Sequence, residues 1–266
     1  LQVEGVSATV DDKLRIAEQL DFLGVHYIEG GYPGSNATDA EFFERAKSLN
    51  LRTARLSAFG STRRAGGDAA TDAAIQAVYR AETPVVTLVG KSSASQVRDV
   101  LETTEEENLA MISDTVSYLV GLGRRVFVDF EHFFDGYKHD SDYGVEAIKA
   151  AIGAGADVAV LCDTNGGMLP SGIARIVADV KERSGARIGI HCQDDTGCAI
   201  ANSIAAVEAG ATHVQCTANG YGERTGNCNM TSLIPCLQLK LGKACLPAAS
   251  LRKLKELSLF VDEVAN

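Results

Sequence analysis

Three side chains able to hold a divalent cation follow two neighbouring apolar stretches near the end of the chain. His191 and Gln193 come directly after Ala186–Ile190, and Asn227 closes a glycine-rich segment that follows Ala211–Thr217. Alternate side chains of an extended segment share one side, so the imidazole and the first amide can face the same ion. A lone histidine at a strand end is more often structural, but the neighbouring amides favour a ligand role. Amide oxygens suit Mg²⁺ or Mn²⁺ better than a softer metal.

Four further polar residues stand where other apolar stretches stop. Glu131 precedes two phenylalanines, and a carboxylate in apolar surroundings can acquire a raised pKa and transfer protons. A surface-loop acid is the equally weighted alternative. The Thr164 hydroxyl could bind a substrate carboxylate, although Asp163–Gly167 could also be only a capped turn. Glu29 ends an earlier apolar stretch, and Arg63 lies in a basic patch that could bind a phosphate-bearing cofactor or be simply solvated. Glu131 is therefore a catalytic candidate, and the other three are substrate-binding candidates.

The elements that must position these residues alternate regularly. Apolar strand patterns and amphipathic helix patterns succeed each other about every 30 residues, which indicates a parallel sheet covered by helices. Seven strands can be counted, and no GxGxxG motif follows the first. The pattern therefore fits an α/β fold of the (β/α)8 TIM barrel type better than a doubly wound sheet. Closure requires an eighth strand, which we expect to precede Leu1. In such a barrel the carboxyl ends of the strands form the active-site face.

One catalytic domain accounts for most of the chain. We assign residues 1–246 to the barrel without its first strand, and 247–266 to the start of a C-terminal helical linker or extension. The polar and aromatic segment 131–140 is expected to be a long loop. Because a missing strand leaves two sheet edges unpaired, we expect residues 1–266 alone to be poorly stable and inactive.

Bulk composition excludes several classes of protein. The net charge of −10, without a basic stripe, argues against a nucleic-acid partner. No run approaches the ~20 apolar residues that a membrane span needs. The seven cysteines are an odd number without a CxxC pair, which argues against a disulfide framework or a zinc ribbon and favours a reducing compartment. We therefore expect a cytoplasmic enzyme without nucleic-acid or membrane partners.

Six segments together resemble one known family. They are Glu29–Asn36, Phe59–Arg64, Glu131–Lys138, Cys162–Gly167, His191–Asp195 and Asn219–Asn227. Over essentially its whole length the chain is similar to the catalytic barrel of the citramalate synthases, in the metal-dependent acyl-CoA condensing group that includes isopropylmalate and homocitrate synthases. The resemblance implies a transferase that condenses acetyl-CoA with pyruvate, giving citramalate and CoA in isoleucine and other branched-chain amino-acid biosynthesis. It also implies a divalent cation (Mg²⁺, Mn²⁺ or Zn²⁺), a homodimer and a C-terminal regulatory domain.

The resemblance also implies roles for individual residues. His191 and Asn227 match metal ligands, Glu131 matches a carboxylate of the acid–base machinery, and Thr164 matches a residue near the carboxylate of the keto acid. Gln193 departs from the pattern, because the family has a second histidine ligand there. The family's opening Asp-x-x-x-Arg-Asp-Gly strand, which supplies a metal-binding aspartate and a catalytic arginine, is also absent, and the chain aligns just after it.

Two other functions remain open. Isopropylmalate and homocitrate synthases use a different 2-oxo acid, and Glu131–Lys138 together with Asn219–Arg224 favours the citramalate branch. A non-catalytic, metal-free barrel used for assembly is the alternative from another class, supported by Gln193 and by the absent opening strand. A panel of 2-oxo acids and a measurement of bound metal distinguish these functions.

Overall fold

A computed structural model of the chain describes residues 8–265, and its framework is one sheet of seven parallel strands. Strands that follow each other along the chain are neighbours in the sheet. The strands are β1 Tyr27–Glu29, β2 Arg55–Ser61, β3 Val85–Lys91, β4 Arg125–Glu131, β5 Val158–Asp163, β6 Ile188–Cys192 and β7 His213–Gln215. This topology confirms the predicted α/β barrel architecture for these strands.

Eleven α-helices in the described part of the chain cover the outer face of the sheet. They are α1 Val10–Leu23, α2 Ala37–Ala46, α3 Ala73–Arg80, α4 Ala94–Asp99, α5 Glu105–Gly121, α6 Phe133–His139, α7 Ser141–Gly153, α8 Pro170–Ser184, α9 Ala199–Glu208, α10 Met230–Pro235 and α11 Leu254–Ala265. Polar side chains begin several of them; the Thr104 hydroxyl, for example, accepts from the Glu107 amide at the start of α5. The prediction of a long loop at 131–140 was wrong. Helix α6 forms there and buries Phe133 and Phe134 in the main core.

The main core lies between the sheet and the helices. Ile112, Val116, Ile148, Ile176 and Val177 are fully buried there on three different helices. Burying one side chain of this size contributes about 1.5–3 kcal/mol, so this layer supplies much of the folding free energy. The core holds the strands in register and thereby fixes where each strand ends.

A second, smaller apolar layer lies on the concave side of the sheet. Val85, Phe127 and Val158 are buried in it, and the Tyr27 ring packs 5.0 Å from that of Phe127. The His213 ring lies 4.9 Å from Phe127 and 5.9 Å from Tyr27. Since Tyr27 belongs to β1 and His213 to β7, these contacts show that the sheet curls until its two edge strands approach. We call Tyr27, Phe127 and His213 the aromatic floor.

The edge strands have one hydrogen-bonded neighbour each within residues 8–265. β1 pairs with β2, and β7 pairs with β6. The predicted eighth strand would precede Leu1, and that position lies outside the described residues. The expected instability of residues 1–266 alone therefore stays a prediction.

The chain beyond the last strand folds back onto the first helix. Leu254, Leu257 and Val261 of α11 are buried in a cluster with Leu23 of α1 and with Met230. The assignment of residues 247–266 to an extension stays a prediction, and its helix packs on the barrel. None of the described helices has the length and apolar character needed to cross a membrane.

Candidate active site

Two segments at the strand ends carry the three predicted cation ligands and lie side by side. Gln193 and Asn227 form an isolated antiparallel bridge, and the Asp194 amide donates to the Gly226 carbonyl at 2.9 Å. His191 is the next-to-last residue of β6, two residues before Gln193. The structure therefore brings Asn227 next to His191 and Gln193, although Asn227 is distant from both in the sequence.

The donor atoms of these residues fit a cation. Gln193 Oε1 and Asn227 Oδ1 are buried and have no hydrogen-bond partner within residues 8–265. His191 Nδ1 lies 2.8 Å from Gln215 Oε1, and His191 Nε2 faces the Gln193 amide, whose nitrogen is 3.4 Å away. Buried polar atoms without partners are rare in native folds and call for an explanation. A divalent cation among these groups would satisfy both amide oxygens and the imidazole lone pair.

The protonation state of the imidazole suits this role. Burial lowers the pKa of His191, although its hydrogen bond with Gln215 acts in the opposite direction. Neutral imidazole is the form that coordinates a metal. Among the described residues no group of three His, Cys, Asp or Glu side chains could hold a metal ion. The candidate site therefore depends on its two amide oxygens.

Glycine allows the loop that ends in Asn227 to close tightly. A Cβ on Gly222 would lie 2.8 Å from Asn227 Cγ, so a larger residue would displace that amide. Gly226 has a φ of 107°, in the left-handed region that side chains other than glycine rarely adopt. The three glycines noted in the sequence thus place the Asn227 side chain in addition to turning the chain.

An arginine fastens the same loop to the next strand end. Arg224 donates to the two carboxylate oxygens of Asp195 at 2.7 and 2.9 Å, and to the Thr164 carbonyl at 2.7 Å. Such forked, charge-assisted bonds fix orientation as well as distance. They connect the segment that carries Thr164 to the cation ligands.

Glu131 and Thr164 lie at the ends of adjacent strands. Lys91 Nζ donates to Glu131 Oε2 at 2.5 Å, as expected for residues that are paired in the register of β3 and β4. The Thr164 hydroxyl accepts from the His132 amide at 2.8 Å, so its own hydrogen stays available to another acceptor. The negative charge of Glu131 also acts against the effect of burial on the pKa of His191.

Two carboxylates lie further inside the barrel. Glu29 ends β1 near the Thr87 hydroxyl, and Asp129 lies on β4 two residues before Glu131. Desolvation by the surrounding protein raises the pKa of both, and the charge of Glu29 raises that of Asp129 further. Glu29 remains open to solvent, however, and water weakens the shift there. Glu29 thus lies at the carboxyl end of its strand, as Glu131 does, and its contact with substrate stays a prediction.

Arg63 lies apart from the site. Its guanidinium is buried between β2 and α5, where it donates to Asp114 at 2.7 and 3.0 Å and to Glu107 at 2.6 Å. It also donates to the Arg64 carbonyl at 3.1 Å. These bonds occupy the guanidinium, so we leave Arg63 out of the site proposed below.

Sequence reasoning missed two residues that the structure places beside the candidate site, Asp129 and Gln215, and it noted Lys91 only as part of a small basic patch at the same rim. Gln215 donates to both oxygens of Asp129 at 2.8 and 2.9 Å and also bonds His191. Period-two spacing could have found Asp129 and Gln215. Asp129 shares one face of β4 with Phe127 and Glu131. Gln215 follows His213 on β7 in the same way.

The chain matches known proteins over its whole length. The HMGL-like family matches residues 1–261. The (R)-citramalate synthase of Streptomyces coelicolor is 56% identical over 266 residues, covering 100% of this chain and 50% of that protein. The (R)-citramalate synthase of Aquifex aeolicus is 52% identical over 266 residues, with the same coverage. The chain thus spans about half the length of the curated relatives it matches.

Solved structures support the architecture. The crystal structure of the HMG-CoA lyase from Bacillus subtilis superimposes with a TM-score of 0.82, covering 99% of this chain and 89% of the lyase chain. Its sequence identity is 18%, and at that level the likeness shows the fold alone. The shared fold agrees with the barrel inferred from the alternation of strands and helices.

Proposed function

The chain belongs to the HMGL-like family, and from that membership we propose that it is the catalytic barrel of a citramalate synthase. The reaction would join acetyl-CoA to pyruvate and release citramalate and CoA. Likeness to (R)-citramalate synthases along the entire chain supports this choice. The structural observation that carries it is a pair of buried amides, Gln193 and Asn227, whose oxygens have no hydrogen-bond partner among residues 8–265, with the Gln193 amide beside the imidazole of His191.

We propose that His191, Gln193 and Asn227 hold one divalent cation. When bound, the cation would supply a Lewis acid that polarises the keto group of pyruvate. One imidazole nitrogen and two amide oxygens form a hard donor set, which favours Mg²⁺ or Mn²⁺ over Zn²⁺. The chain itself would keep the imidazole of His191 neutral and shield the amides of Gln193 and Asn227 from water.

Thr164 is proposed to bind the carboxylate of the keto acid. Its hydroxyl oxygen accepts from the His132 amide, so the hydroxyl hydrogen is free to donate to a substrate oxygen. Arg224 holds the Thr164 carbonyl and thereby keeps this hydroxyl at the edge of the cation site. The arrangement would orient pyruvate with its keto carbon exposed to the second substrate.

Glu131 is proposed to move protons during the condensation. A proton leaves the methyl group of acetyl-CoA, a carbon–carbon bond forms at C2 of pyruvate, and the keto oxygen takes up a proton. Water then cleaves the thioester and frees CoA. The Lys91 ammonium keeps the Glu131 carboxylate in one place through the bond at 2.5 Å, as a general acid–base group requires.

Release of CoA from acetyl-CoA by the natural protein that contains this chain tests the proposal. Pyruvate, 2-oxoisovalerate and 2-oxoglutarate are supplied in turn, with and without EDTA. Release that needs both pyruvate and a divalent cation is the expected result. Preference for a bulkier 2-oxo acid would move the assignment to an isopropylmalate or homocitrate synthase. No release with any of them, and no bound metal, would favour a non-catalytic barrel.

We also propose that the protein acts as a homodimer in the cytoplasm, as the family resemblance implies. Sedimentation of the natural protein tests the dimer, and fractionation of cells tests the location. A monomer that releases CoA at the full rate would contradict the first of these proposals.

A further inference from the structure

Gln215 connects a carboxylate in the barrel interior to the imidazole of the cation site. Its side-chain nitrogen lies 2.8 and 2.9 Å from the two oxygens of Asp129, and its side-chain oxygen lies 2.8 Å from His191 Nδ1. The three side chains form a line across the barrel, from β4 through β7 to β6. We call Asp129, Gln215 and His191 the interior relay.

The chemistry of each member fixes the direction of the hydrogen bonds. While Asp129 is ionised its two oxygens only accept, so the group that faces them is the amide NH₂ of Gln215. The amide oxygen therefore faces His191, and an amide oxygen only accepts. His191 Nδ1 thus carries the hydrogen, and its Nε2 presents a lone pair toward Gln193.

The backbone supports this arrangement. His191 and Gln215 are register partners on the adjacent strands β6 and β7, so their side chains leave the same face of the sheet. Asp129 is 5% exposed and reaches the amide from the far side of the barrel, 86 residues away in sequence. Gln215 is held at both ends, and its amide cannot turn over without losing both bonds.

We propose that Gln215 is a positioning residue that holds His191 in the Nδ1–H tautomer, so that Nε2 is ready to bind a cation before any arrives. The inference deepens the proposed function and rests on it for the identity of the ligand. Partners of this kind orient a ligating histidine, and their loss typically costs about 10–100-fold in metal affinity. Asp129 acts through Gln215 by fixing which way its amide points.

Nuclear magnetic resonance of ¹⁵N-histidine-labelled, metal-free protein tests the tautomer directly. The chain has five histidines, and the signals of His191 are identified by their loss in His191→Gln. We expect the wild-type protein to show the hydrogen on Nδ1. In Gln215→Leu we expect it to move to Nε2, with a loss of Mn²⁺ affinity of about 10–100-fold by electron paramagnetic resonance.

Two further variants make the result decisive. Asp129→Asn keeps the shape of the side chain but no longer fixes which way the Gln215 amide points, so the hydrogen should be shared between Nδ1 and Nε2 even if Gln215→Leu does not fold. Ser57→Ala removes another interior hydrogen bond, the one to Thr87 at 2.9 Å, and should change neither the tautomer nor Mn²⁺ affinity. A hydrogen on Nε2 of the wild type, or the wild-type tautomer in Gln215→Leu, would overturn the proposal. These spectra do not depend on CoA release, so failure here is distinct from failure of the proposed reaction.

Discussion

Gln193 and Asn227 pair across an isolated antiparallel bridge, and each ends in a buried amide oxygen that no described residue satisfies. The bridge explains how a single glycine-rich loop can place an amide from beyond β7 beside one that follows β6. In the proposed site the choice of ion would then depend on amides, which are neutral, hard donors.

Replacing one of these amides should change which ion binds. In Gln193→His the donor set gains a second imidazole, so Zn²⁺ affinity should rise relative to Mg²⁺ by about tenfold or more, equivalent to ~1.4 kcal/mol. Competition against a chelating dye measures both affinities. The control Gln193→Leu removes the donor and should weaken both ions. Unchanged affinity for both ions in Gln193→Leu would show that Gln193 is not a ligand.

Glu131→Gln should separate chemistry from cation binding. The amide keeps the shape of the side chain but cannot exchange a proton, so kcat should fall by about 10²–10⁴-fold. Mn²⁺ affinity should stay close to that of the wild type, because Glu131 is bonded to Lys91 and is not one of the proposed ligands. Steady-state rates and paramagnetic titration measure the two quantities. An equal loss of both would contradict the proton-transfer role.

Gly222→Ala should damage the cation site through its neighbour. The new methyl group would lie 2.8 Å from Asn227 Cγ and force the amide away, so Mn²⁺ affinity should fall by about tenfold or more. The control is Gly153→Ala near the end of α7, where a Cβ would meet no described atom within 4 Å. That control should leave affinity unchanged. Equal affinity in both variants would remove Asn227 from the site.

Arg63→Met should affect stability and leave substrate binding intact. The change removes hydrogen bonds to Glu107 and Asp114, and bonds to charged groups contribute about 1.5–3 kcal/mol each to stability when buried. The KM for pyruvate should not change. The exposed neighbour Arg64 gives the matched control Arg64→Met, which should alter neither quantity. A raised KM at wild-type stability would restore the substrate-binding role predicted from the sequence.

Acid should destabilise the protein in part through His213. Burial, with a smaller effect of Arg187, lowers the pKa of His213 from 6.5 to about 4 in the folded chain. Between these two values the unfolded chain binds the extra proton, so stability falls as pH decreases from about 6.5 to about 4. In His213→Gln the pH dependence of the unfolding free energy should be shallower by up to one proton in this window. His26→Gln, at an exposed histidine, should keep the wild-type slope.

The barrel, and the proximity of His191, Gln193 and Asn227, could be predicted because each depends on local order along the chain. Strands and helices alternate, and His191 and Gln193 stand where a strand pattern ends. Period-two spacing indicates which strand face Asp129 and Gln215 each occupy, but not that the two side chains meet, because they lie 86 positions apart. Which face of β4 or β7 points into the barrel depends on the direction in which the whole sheet curls, and the sequence of one strand does not show that direction.

Arg63 has surroundings in the structure that its own segment of the sequence does not indicate. Its neighbours in sequence are small, polar or basic, which is typical of an anion-binding rim. Its actual partners, Glu107 and Asp114, come from a helix 44 and 51 residues further along the chain. A charged residue with such partners can be buried and paired. Its own segment of the sequence does not indicate this burial, because the partners come from elsewhere in the chain.

Tyr27, Phe127 and His213 pack together on the concave side of the sheet, and they belong to β1, β4 and β7. Within residues 8–265 no strand pairing joins β1 to β7, so ring contacts connect the two edges of the sheet there. The curl of the sheet, and with it the spacing of the strand ends that carry the candidate site, therefore depends partly on three rings that take no part in the proposed chemistry.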